Sequence, residues 1–435
     1  MHAVVSWPSA PLTDSLVRKA LGSLDVPIEI VTSVPDSYTK LLQWSTYDDI
    51  DHERVHNDSR STLSSSYVIR KSLIRKHFLS RCLHSYLVKH PQSLLRNHVP
   101  RTWDLDIAFA DELDEALADD LWELSQELEG DKWWILKPGM ADRGMGIRLF
   151  NTRESLEAIF EEFEPGSDDE DDDGEAENDT AVITSQLRHF VIQEYLATPL
   201  LIDPTQVPLD GGIPPSSLHG HKFHLRAYVV CSGALTVYLY PRVLALFSAM
   251  PYVSPTAGDG GTSSIDLGPH LTNTSLQTHR GEEGVRLLDE LIGCSVLSHS
   301  GDQSDWVLSA ADVENIRNQM AEVLAETFKA ALENPIHFQP LPNAFELFGI
   351  DFLVDQSPAP SGDIQVKLLE INAEPAIELT GPRLTWILQD LFTAMAKVCV
   401  TPFCTDSDLA KETWAVGDTK HGLVKCFEQS VRGPA

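Results

Sequence analysis

FELFGIDFLVD at residues 345–355 and VKLLEINAEPA at residues 366–376 are two apolar, strand-like segments joined by a short stretch with two prolines and a glycine. Side chains alternate between the two faces of a strand. Glu370 and Asn372 therefore share one face, and Asp351 lies on one face of the preceding strand. Because the connection is short, we expect a hairpin that brings two carboxylates and an amide oxygen together. A few hard oxygen ligands, with room left for phosphate oxygens, suit Mg²⁺ at a nucleotide.

The same spacing also fits a simple hairpin whose acidic side chains are solvated. The neighbouring residues favour the metal site, because acids within apolar strands are costly unless they are paired or metal-bound. These apolar neighbours are Phe345, Phe348, Phe352, Leu368, Leu369 and Ile371.

Composition limits the classes of function. The 435 residues are enough for two or three domains, and a hydrophobic fraction of 42% allows a large core. The formal net charge of −32 argues against nonspecific nucleic-acid binding. We expect no membrane span, since long apolar runs and a signal-like N-terminus are missing. Six scattered cysteines fit a reducing, cytoplasmic location better than disulfides or a zinc site.

Strand and helix patterns alternate along the chain, which predicts an α/β or α+β enzyme. Residues 1–65 resemble a small α/β unit, and residues 164–180 are so acidic that we expect a disordered insertion. Apolar periodicity predicts three helices, over Val68–Lys89, Asp111–Leu128 and Ser309–Glu333. Further strands are expected over Trp133–Leu136, Phe190–Leu196, Phe223–Val230 and Leu235–Tyr240.

Lys137 follows the apolar strand Trp133–Leu136 and precedes a loop with Gly139, Gly144 and Gly146. A lysine at a strand end beside glycines can bring an ammonium group and backbone N–H groups to phosphates. The order of a P-loop is missing. Taken alone, the segment also fits an ordinary glycine-bearing turn.

Two further segments carry polar residues suited to a nucleotide. In HKFHLR (221–226) the side chains of Lys222, His224 and Arg226 share one strand face, where the two permanent cations would clamp a phosphate or a carboxylate. A solvated sheet face is the alternative. HLTN (270–273) on its own fits a turn or a helix cap.

Taken in order, these segments resemble the tubulin–tyrosine ligase family, whose catalytic module has an ATP-grasp fold. The resemblance runs from about Arg70 to Ala376. It is carried by WILKP (134–138), QEYL (193–196), KFHLR (222–226), YLY (238–240), HLTNTSLQ (270–277) and the strand pair 345–376. HLTN and the strand pair are its most specific parts.

The resemblance implies an α+β ATP-grasp fold with a small N-terminal α/β domain. It implies a central domain over 66–217, a C-terminal ATP-grasp domain over 218–400 and a tail over 401–435. ATP and Mg²⁺ would be the cofactors, and a carboxylate would be activated as an acyl phosphate and then attacked by an amino group. The implied partners are a free amino acid and a protein substrate, such as a tubulin C-terminal tail.

The resemblance also implies residue roles. Lys71 and Lys137 would contact the ATP phosphates, and Asp351 with Glu370 and Asn372 would bind Mg²⁺. The adenine contacts would be Gln193, Glu194, Tyr195 and Leu196. The residues at the nucleotide or acceptor, where catalysis occurs, would be Lys222, Arg226 and Asn273.

The sequence departs from the family pattern at two positions. His224 stands where the family usually has aspartate, and Ala245 or Leu246 stands where an arginine is common. Arg242 is near, but it belongs to a different strand face. Because tubulin tails are acidic, the acidity of this chain also argues against that substrate. The alternative functions are a nucleotide-binding scaffold with weak or no turnover, which acts through protein partners, and a ligase for small molecules.

Overall fold

The computed structural model describes residues 1–107, 112–128, 130–139, 146–163, 189–209, 211–256, 265–272, 282–297, 303–356, 364–405 and 414–430. The expected acidic insertion at 164–180, Gly144 and Asn273 lie outside these residues. The described chain mixes helices with three β-sheets, which confirms the α+β class.

The N-terminal residues form a four-stranded parallel sheet with the strand order β2-β1-β3-β4. Parallel neighbours need crossover connections, and α1 supplies the first of them. The central strand β3 is buried along its whole length, and Trp44 within it contacts the rings of Phe345 and Phe392. The sheet therefore packs directly on the C-terminal half. Its elements are β1 (His2–Ser6), α1 (Pro11–Gly22), β2 (Glu29–Val31), β3 (Leu41–Ser45), α2 (His52–Asn57) and β4 (Thr62–Ser64).

Three helices follow: α3 (Lys71–Ile74), α4 (Lys76–Lys89) and α5 (Leu95–His98). The single helix expected over 68–89 is therefore two helices, because Arg75 between them has an extended backbone with φ −108° and ψ 118°. The apolar stripe of α4 is as predicted, with Leu79, Leu83 and Tyr86 buried.

A second sheet of four antiparallel strands has the order β5-β8-β6-β7. Helices α6, α7 and α8 cover one face of it, where Leu113, Leu124 and Ile159 join the buried residues of the strands. The helix expected over 111–128 is split after Ala118. The elements are β5 (Thr102–Asp106), α6 (Glu112–Ala118), α7 (Trp122–Glu127), β6 (Trp134–Pro138), β7 (Arg148–Phe150), α8 (Arg153–Phe163) and β8 (His189–Glu194).

The third sheet has eleven strands around β10 and β16, which pair antiparallel over nine residues. Helix α9 packs on one face and α10 on the other, so the sheet lies between two hydrophobic clusters. Its strands are β9 (Leu201–Ile202), β10 (His221–Ser232), β11 (Thr236–Leu239), β12 (Leu244–Phe247), β13 (Val285–Leu287), β14 (Ser295–Leu297), β15 (Gln303–Val307), β16 (Phe345–Gln356), β17 (Ile364–Ala373), β18 (Thr419–Lys420) and β19 (Leu423–Glu428). The helices are α9 (Ala310–Leu332), α10 (Thr385–Met395) and α11 (Thr401–Thr405).

The pairing of the last strand bears on the expected boundary of the C-terminal tail at residue 401. Strand β19 pairs with β11, so part of the expected tail belongs to the large sheet.

The helical stretch Pro382–Thr405 is long and apolar enough to cross a membrane by length and composition alone. Half of its apolar window is buried, and Ile387, Leu388 and Leu391 are completely covered by the protein. This burial is typical of the core helix of a globular domain.

Candidate functional site

Strands β16 and β17 pair antiparallel, as their sequences predict. In the register of β16 and β17, Asp351 lies opposite Glu370, and Gly349 lies opposite Asn372. A β-bulge directly after Asp351 adds Leu369 to one strand, so Leu369 and Glu370 both line the cleft between the second sheet and the large sheet. The strands thus bring both carboxylates and the amide together.

The Asp351 carboxylate is buried and held by Arg226 from the neighbouring strand β10. The guanidinium donates from Nε to Oδ1 and from Nη2 to Oδ2, the latter at 2.9 Å. Burial alone would lower the pKa of Arg226, but the attraction and hydrogen bonds of Asp351 raise it above its ordinary value. The arginine therefore stays charged. Asn372 Nδ2 lies 3.3 Å from Asp351 Oδ2 and 3.4 Å from Glu370 Oε1.

Glu370 is surrounded by positive charge. Lys76 Nζ lies 3.4 Å from Glu370 Oε2. Although burial opposes ionisation, Lys76, Lys137 and Arg226 hold the pKa of Glu370 well below its usual range. Lys71, which the family resemblance placed at the phosphates, is exposed at the start of α3, so the structure brings Lys76 to the carboxylates instead.

Lys137 lies on β6 with its ammonium group buried in the cleft. Its Nζ donates to Gln193 Oε1 at 2.7 Å, and Gln193 in turn donates to Thr102 Oγ1 at 3.1 Å. Burial lowers the pKa of Lys137 to about 8. The lysine is therefore mostly charged at pH 7 but only about half charged at pH 8.

Lys222 on β10 is the second buried ammonium group. Its Nζ lies 4.2 Å from the centre of the Tyr195 ring, a cation–π contact. Burial, and then repulsion by Lys137, lower the pKa of Lys222 to about 7. No described carboxylate forms an ion pair with this lysine, so a bound anion would supply its counter-charge.

The HLTN segment borders the same cleft. His270 Nδ1 lies 2.9 Å from the Tyr195 hydroxyl, and burial lowers the pKa of His270 to about 4. Thr272 Oγ1 lies 2.5 Å from His224 Nδ1, and His224 Nε2 lies 3.6 Å from Asp351 Oδ1. Burial also lowers the pKa of His224, so its ring is neutral at pH 7.

The cleft is a narrow cavity of about 70 Å³ between the two sheets. Glu194 and Leu196 line it together with the lysines, and Ile135 and Leu353 supply apolar walls. A wider and mainly apolar cavity of about 440 Å³ lies under α4 and shares Lys137, Gln193 and Glu370 with the cleft. Every predicted site residue in the described part of the chain, except Lys71, therefore lies in or beside these two adjoining cavities.

The comparison with known proteins decides the family. The profile of the tubulin-tyrosine ligase family matches residues 58–408. The chain belongs to this family. It is 39% identical over 420 residues to the Saccharomyces cerevisiae protein described as a probable tubulin–tyrosine ligase, PBY1, covering 91% of this chain. It spans only 51% of that relative's length. A Schizosaccharomyces pombe probable tubulin–tyrosine ligase is 36% identical over 84% of each chain.

A solved structure supports the fold. The C-terminal domain of K. lactis Pby1 is described as an ATP-grasp enzyme that interacts with the mRNA decapping enzyme Dcp2. It matches 99% of this chain and 100% of its own with a TM-score of 0.65 and 31% identity. The predicted family and ATP-grasp fold are therefore confirmed.

No nearby arginine takes the place of the arginine that family members commonly carry at the position of Ala245 or Leu246, among the residues that the structure describes. Ala245 pairs with Arg286 in the register of β12 and β13, but the Arg286 guanidinium donates to backbone carbonyls, including those of Pro204 and Val207. Arg242 is half-exposed and lies 3.4 Å from Asp289. Neither arginine lines the cleft in the part of the chain that the structure describes.

The residues fit a divalent cation bound with a nucleotide. The positive charges of Arg226 and Lys76 and the Asn372 amide N–H all point at the two carboxylates, so the structure already places positive groups where a cation would bind. Rotation of the Asn372 amide would present its oxygen instead of its nitrogen. The resulting set of oxygen donors matches the chemistry of Mg²⁺ at phosphates.

Two contributions were not visible in the sequence. Lys76 had the right charge, but the continuous helix expected there hid the break at Arg75 that separates it from Lys71. The buried ion pair of Arg70 with Glu346, at 3.1 Å, joins the start of α3 to β16. The apolar context of Glu346 in FELFG indicated only that this acid needs a partner.

Proposed function

We propose that this protein is an ATP- and Mg²⁺-dependent ligase that joins an amino acid to a carboxylate of a protein substrate. The observation that carries the proposal is the pairing of Asp351 with Glu370 beside the buried ammonium groups of Lys137 and Lys222. Paired carboxylates beside phosphate-binding lysines are what a metal–nucleotide complex requires.

The residues have distinct tasks in this proposal. Lys137 and Lys222 neutralise phosphate oxygens. Residues 193–196, at the end of β8 and just after it, face the adenine base. Asp351, Glu370 and Asn372 hold Mg²⁺, which, when bound, neutralises charge on the transferred phosphoryl group. Arg226 orients the Asp351 carboxylate by donating to both of its oxygens. These contributions are positioning and charge neutralisation, which suffice for phosphoryl transfer.

The proposed reaction has two steps, phosphorylation of the acceptor carboxylate and attack by the amino group. A carboxylate oxygen of the acceptor takes the γ-phosphoryl group of ATP, and ADP leaves. The uncharged amino group of the amino acid then attacks the acyl carbon, phosphate leaves with the bonding electron pair, and the nitrogen gives up a proton. The cavity under α4, about 440 Å³ in volume and open to Glu370, offers room for one of the two organic substrates.

Incorporation of labelled amino acids tests the proposal. Purified protein is incubated with Mg·ATP, a panel of labelled tyrosine, glutamate or glycine, and tubulin or a cell lysate. We expect labelled protein and ADP in equal amounts, both lost in Glu370→Gln. If the protein binds ATP but labels nothing across the panel, the ligase proposal is wrong.

A second candidate is a nucleotide-binding scaffold with weak or no turnover that acts through protein partners. It is favoured by His224 and by the position of Ala245 and Leu246, for which neither Arg242 nor Arg286 supplies a guanidinium among the described cleft residues. The interaction of the K. lactis relative with Dcp2 also supports a partner-based role. This candidate predicts that Glu370→Gln weakens metal binding while capture of the partner from purified components is unchanged.

We further propose that the protein acts in the cytoplasm on a protein carboxylate. The family includes relatives named for tubulin modification, such as the zebrafish tubulin monoglycylase TTLL3, which is 25% identical over 56% of this chain. A tubulin tail is therefore one candidate substrate. The net charge of −32 favours a less acidic carboxylate substrate over such a tail.

A further inference from the structure

His224 places a nitrogen atom beside the metal carboxylates. It lies on the same face of β10 as Lys222 and Arg226, and its side chain is almost completely buried. Its Nε2 lies 3.6 Å from Asp351 Oδ1 and accepts or donates no hydrogen bond among the residues that the structure describes. A buried ring nitrogen without such a partner, directed at a carboxylate, is costly unless something else binds it.

The other ring nitrogen is already fixed. Thr272 Oγ1 lies 2.5 Å from His224 Nδ1. Metal-binding histidines usually donate the N–H of the second nitrogen to an oxygen acceptor, which sets the tautomer and the ring orientation. When Nδ1–H donates to the threonine hydroxyl, the Nε2 lone pair faces Asp351. The arrangement is that of a histidine ligand with its supporting acceptor.

The distance between the two atoms suits one shared cation. Two ligand atoms, each about 2.1 Å from a metal, are about 3.0 Å apart at right angles and about 3.4 Å apart in a tetrahedron. The observed 3.6 Å from His224 Nε2 to Asp351 Oδ1 differs from these values by a few tenths of an ångström. A small rotation of either side chain closes the difference.

We propose that His224 Nε2 is a ligand of the divalent cation together with Asp351 and Glu370, and that this nitrogen makes the site prefer Mn²⁺ to Mg²⁺. The inference rests on the proposed function, since it assumes the same metal–nucleotide site. Imidazole is a poor ligand for Mg²⁺, which keeps oxygen ligands, whereas first-row divalent ions accept mixed nitrogen and oxygen sets. Where the family usually has aspartate, the same position would supply oxygen.

The cation completes the site with the nucleotide. In the described chain, no three His, Cys, Asp or Glu side chains are already close enough to enclose a metal by themselves. Nucleotide-bound cations need only a few protein ligands, because phosphate oxygens and water supply the rest. Arg226 donates to both oxygens of Asp351. When the cation binds Oδ1, the hydrogen bond from Arg226 to Oδ2 still orients the carboxylate.

The alternative role for Nε2 is donation of a hydrogen bond to a phosphate oxygen. In that tautomer the threonine hydroxyl donates to Nδ1 and no bond forms between the metal and nitrogen. Electron spin-echo envelope modulation of bound Mn²⁺ separates the two roles, because only a directly bonded imidazole nitrogen gives strong nitrogen coupling to the metal electrons.

The experiment uses the full chain with Mn²⁺ and ADP, which has no nitrogen in its phosphate chain. We expect imidazole ¹⁴N coupling that changes to the ¹⁵N pattern when the protein is labelled with [¹⁵N]histidine, and that disappears in His224→Asp. His224→Asn serves if the first variant does not fold. His270→Asn, which alters another buried cleft histidine, is expected to keep the coupling.

Metal affinity gives the second readout. We expect Mn²⁺ to bind in the presence of ADP at least about tenfold more tightly than Mg²⁺, and His224→Asp to reduce that ratio by about tenfold. If Mn²⁺ and ADP bind but no imidazole coupling is seen, the inference is wrong and the proposed ATP site stands. If neither binds, the proposed ATP–metal site fails and the inference fails with it.

Discussion

The two buried ammonium groups of the cleft predict that ATP binding takes up protons. Burial lowers the pKa of Lys222 to about 7 and that of Lys137 to about 8. A bound triphosphate supplies negative charge beside both lysines, so it returns their pKa values toward the ordinary value of about 10.4. Each lysine that is neutral in the free protein then takes up a proton on binding.

The size of the effect follows from the two pKa values. At pH 8, Lys222 is about one-tenth protonated and Lys137 about half protonated, so binding takes up about 1.4 protons. At pH 7 the same reasoning gives about 0.6 proton. ATP affinity must therefore fall as the pH rises through 7 to 8, because more of the binding energy is spent on protonating the lysines.

Isothermal titration calorimetry measures this uptake directly. Titrations of Mg·ATP at pH 7 and at pH 8, each in buffers of different ionisation enthalpy, give the number of protons from the slope of observed enthalpy. At pH 8 the phosphates of ATP are fully ionised and add little to the count. Lys222→Met is expected to lower the uptake at pH 8 to about 0.5 proton, the share of Lys137.

A surface lysine provides the matched control. Lys132 is half-exposed and pairs with Glu127 outside the cleft, so Lys132→Met is expected to leave the uptake unchanged. An uptake below about 0.3 proton at pH 8 would refute the reasoning, as would equal uptake in the wild type and Lys222→Met. Either result would mean that the lysines are fully charged before the nucleotide arrives.

Three further predictions test the metal site and the packing around it. Glu370→Gln should weaken Mg²⁺ binding by about tenfold or more. The measurement is a titration of Mg²⁺ into the protein with ADP present, and the same titration without ADP is the control. Arg70→Met should lower the free energy of unfolding by about 3–5 kcal/mol in urea denaturation, because it leaves a buried carboxylate unpaired, whereas Arg18→Met at the surface should cost less than about 1 kcal/mol. Leu388→Ala should cost about 2–5 kcal/mol because α10 is a core helix, and Trp386→Ala, on its exposed side, about 1 kcal/mol or less. Equal costs within either pair would contradict the packing described.

The sequence was most informative where one strand pair determines the geometry. Alternation along β17 placed Glu370 with Asn372, and the short connection predicted a hairpin that brings Asp351 to them; the structure has Asp351 opposite Glu370. Strand registers of this kind depend on local spacing, which can be read directly. The motifs and their order along the chain likewise predicted the family and the fold.

Contacts between separate elements could not be read in the same way. The cation–π contact of Lys222 with Tyr195 joins two sheets, and the approach of Thr272 to His224 joins a loop to β10. Lys76 reaches Glu370 only because the backbone at Arg75 is extended and ends α3. Such contacts depend on tertiary packing, which overrides local helix propensity.

The charge distribution of the cleft separates binding from turnover. A chain of net charge −32 keeps two ammonium groups buried in one narrow cavity, where desolvation lowers the pKa of both. A purely structural sheet face gains nothing from this arrangement, since apolar side chains would fill the same space without the desolvation cost. An anionic ligand removes the cost, so the lysines argue for nucleotide binding independently of the metal site.

Turnover needs one thing more, which is a way to hold the acceptor carboxylate next to the γ-phosphate. Arg226 is engaged by Asp351, and the guanidinium of Arg286 is engaged by backbone carbonyls. If metal binding draws Asp351 Oδ1 away from Arg226, one edge of that guanidinium becomes available to the acceptor. Metal binding at Asp351 would then serve the phosphates and free the Arg226 guanidinium for the acceptor carboxylate at the same time. Ligation should therefore require metal even where nucleotide binding does not.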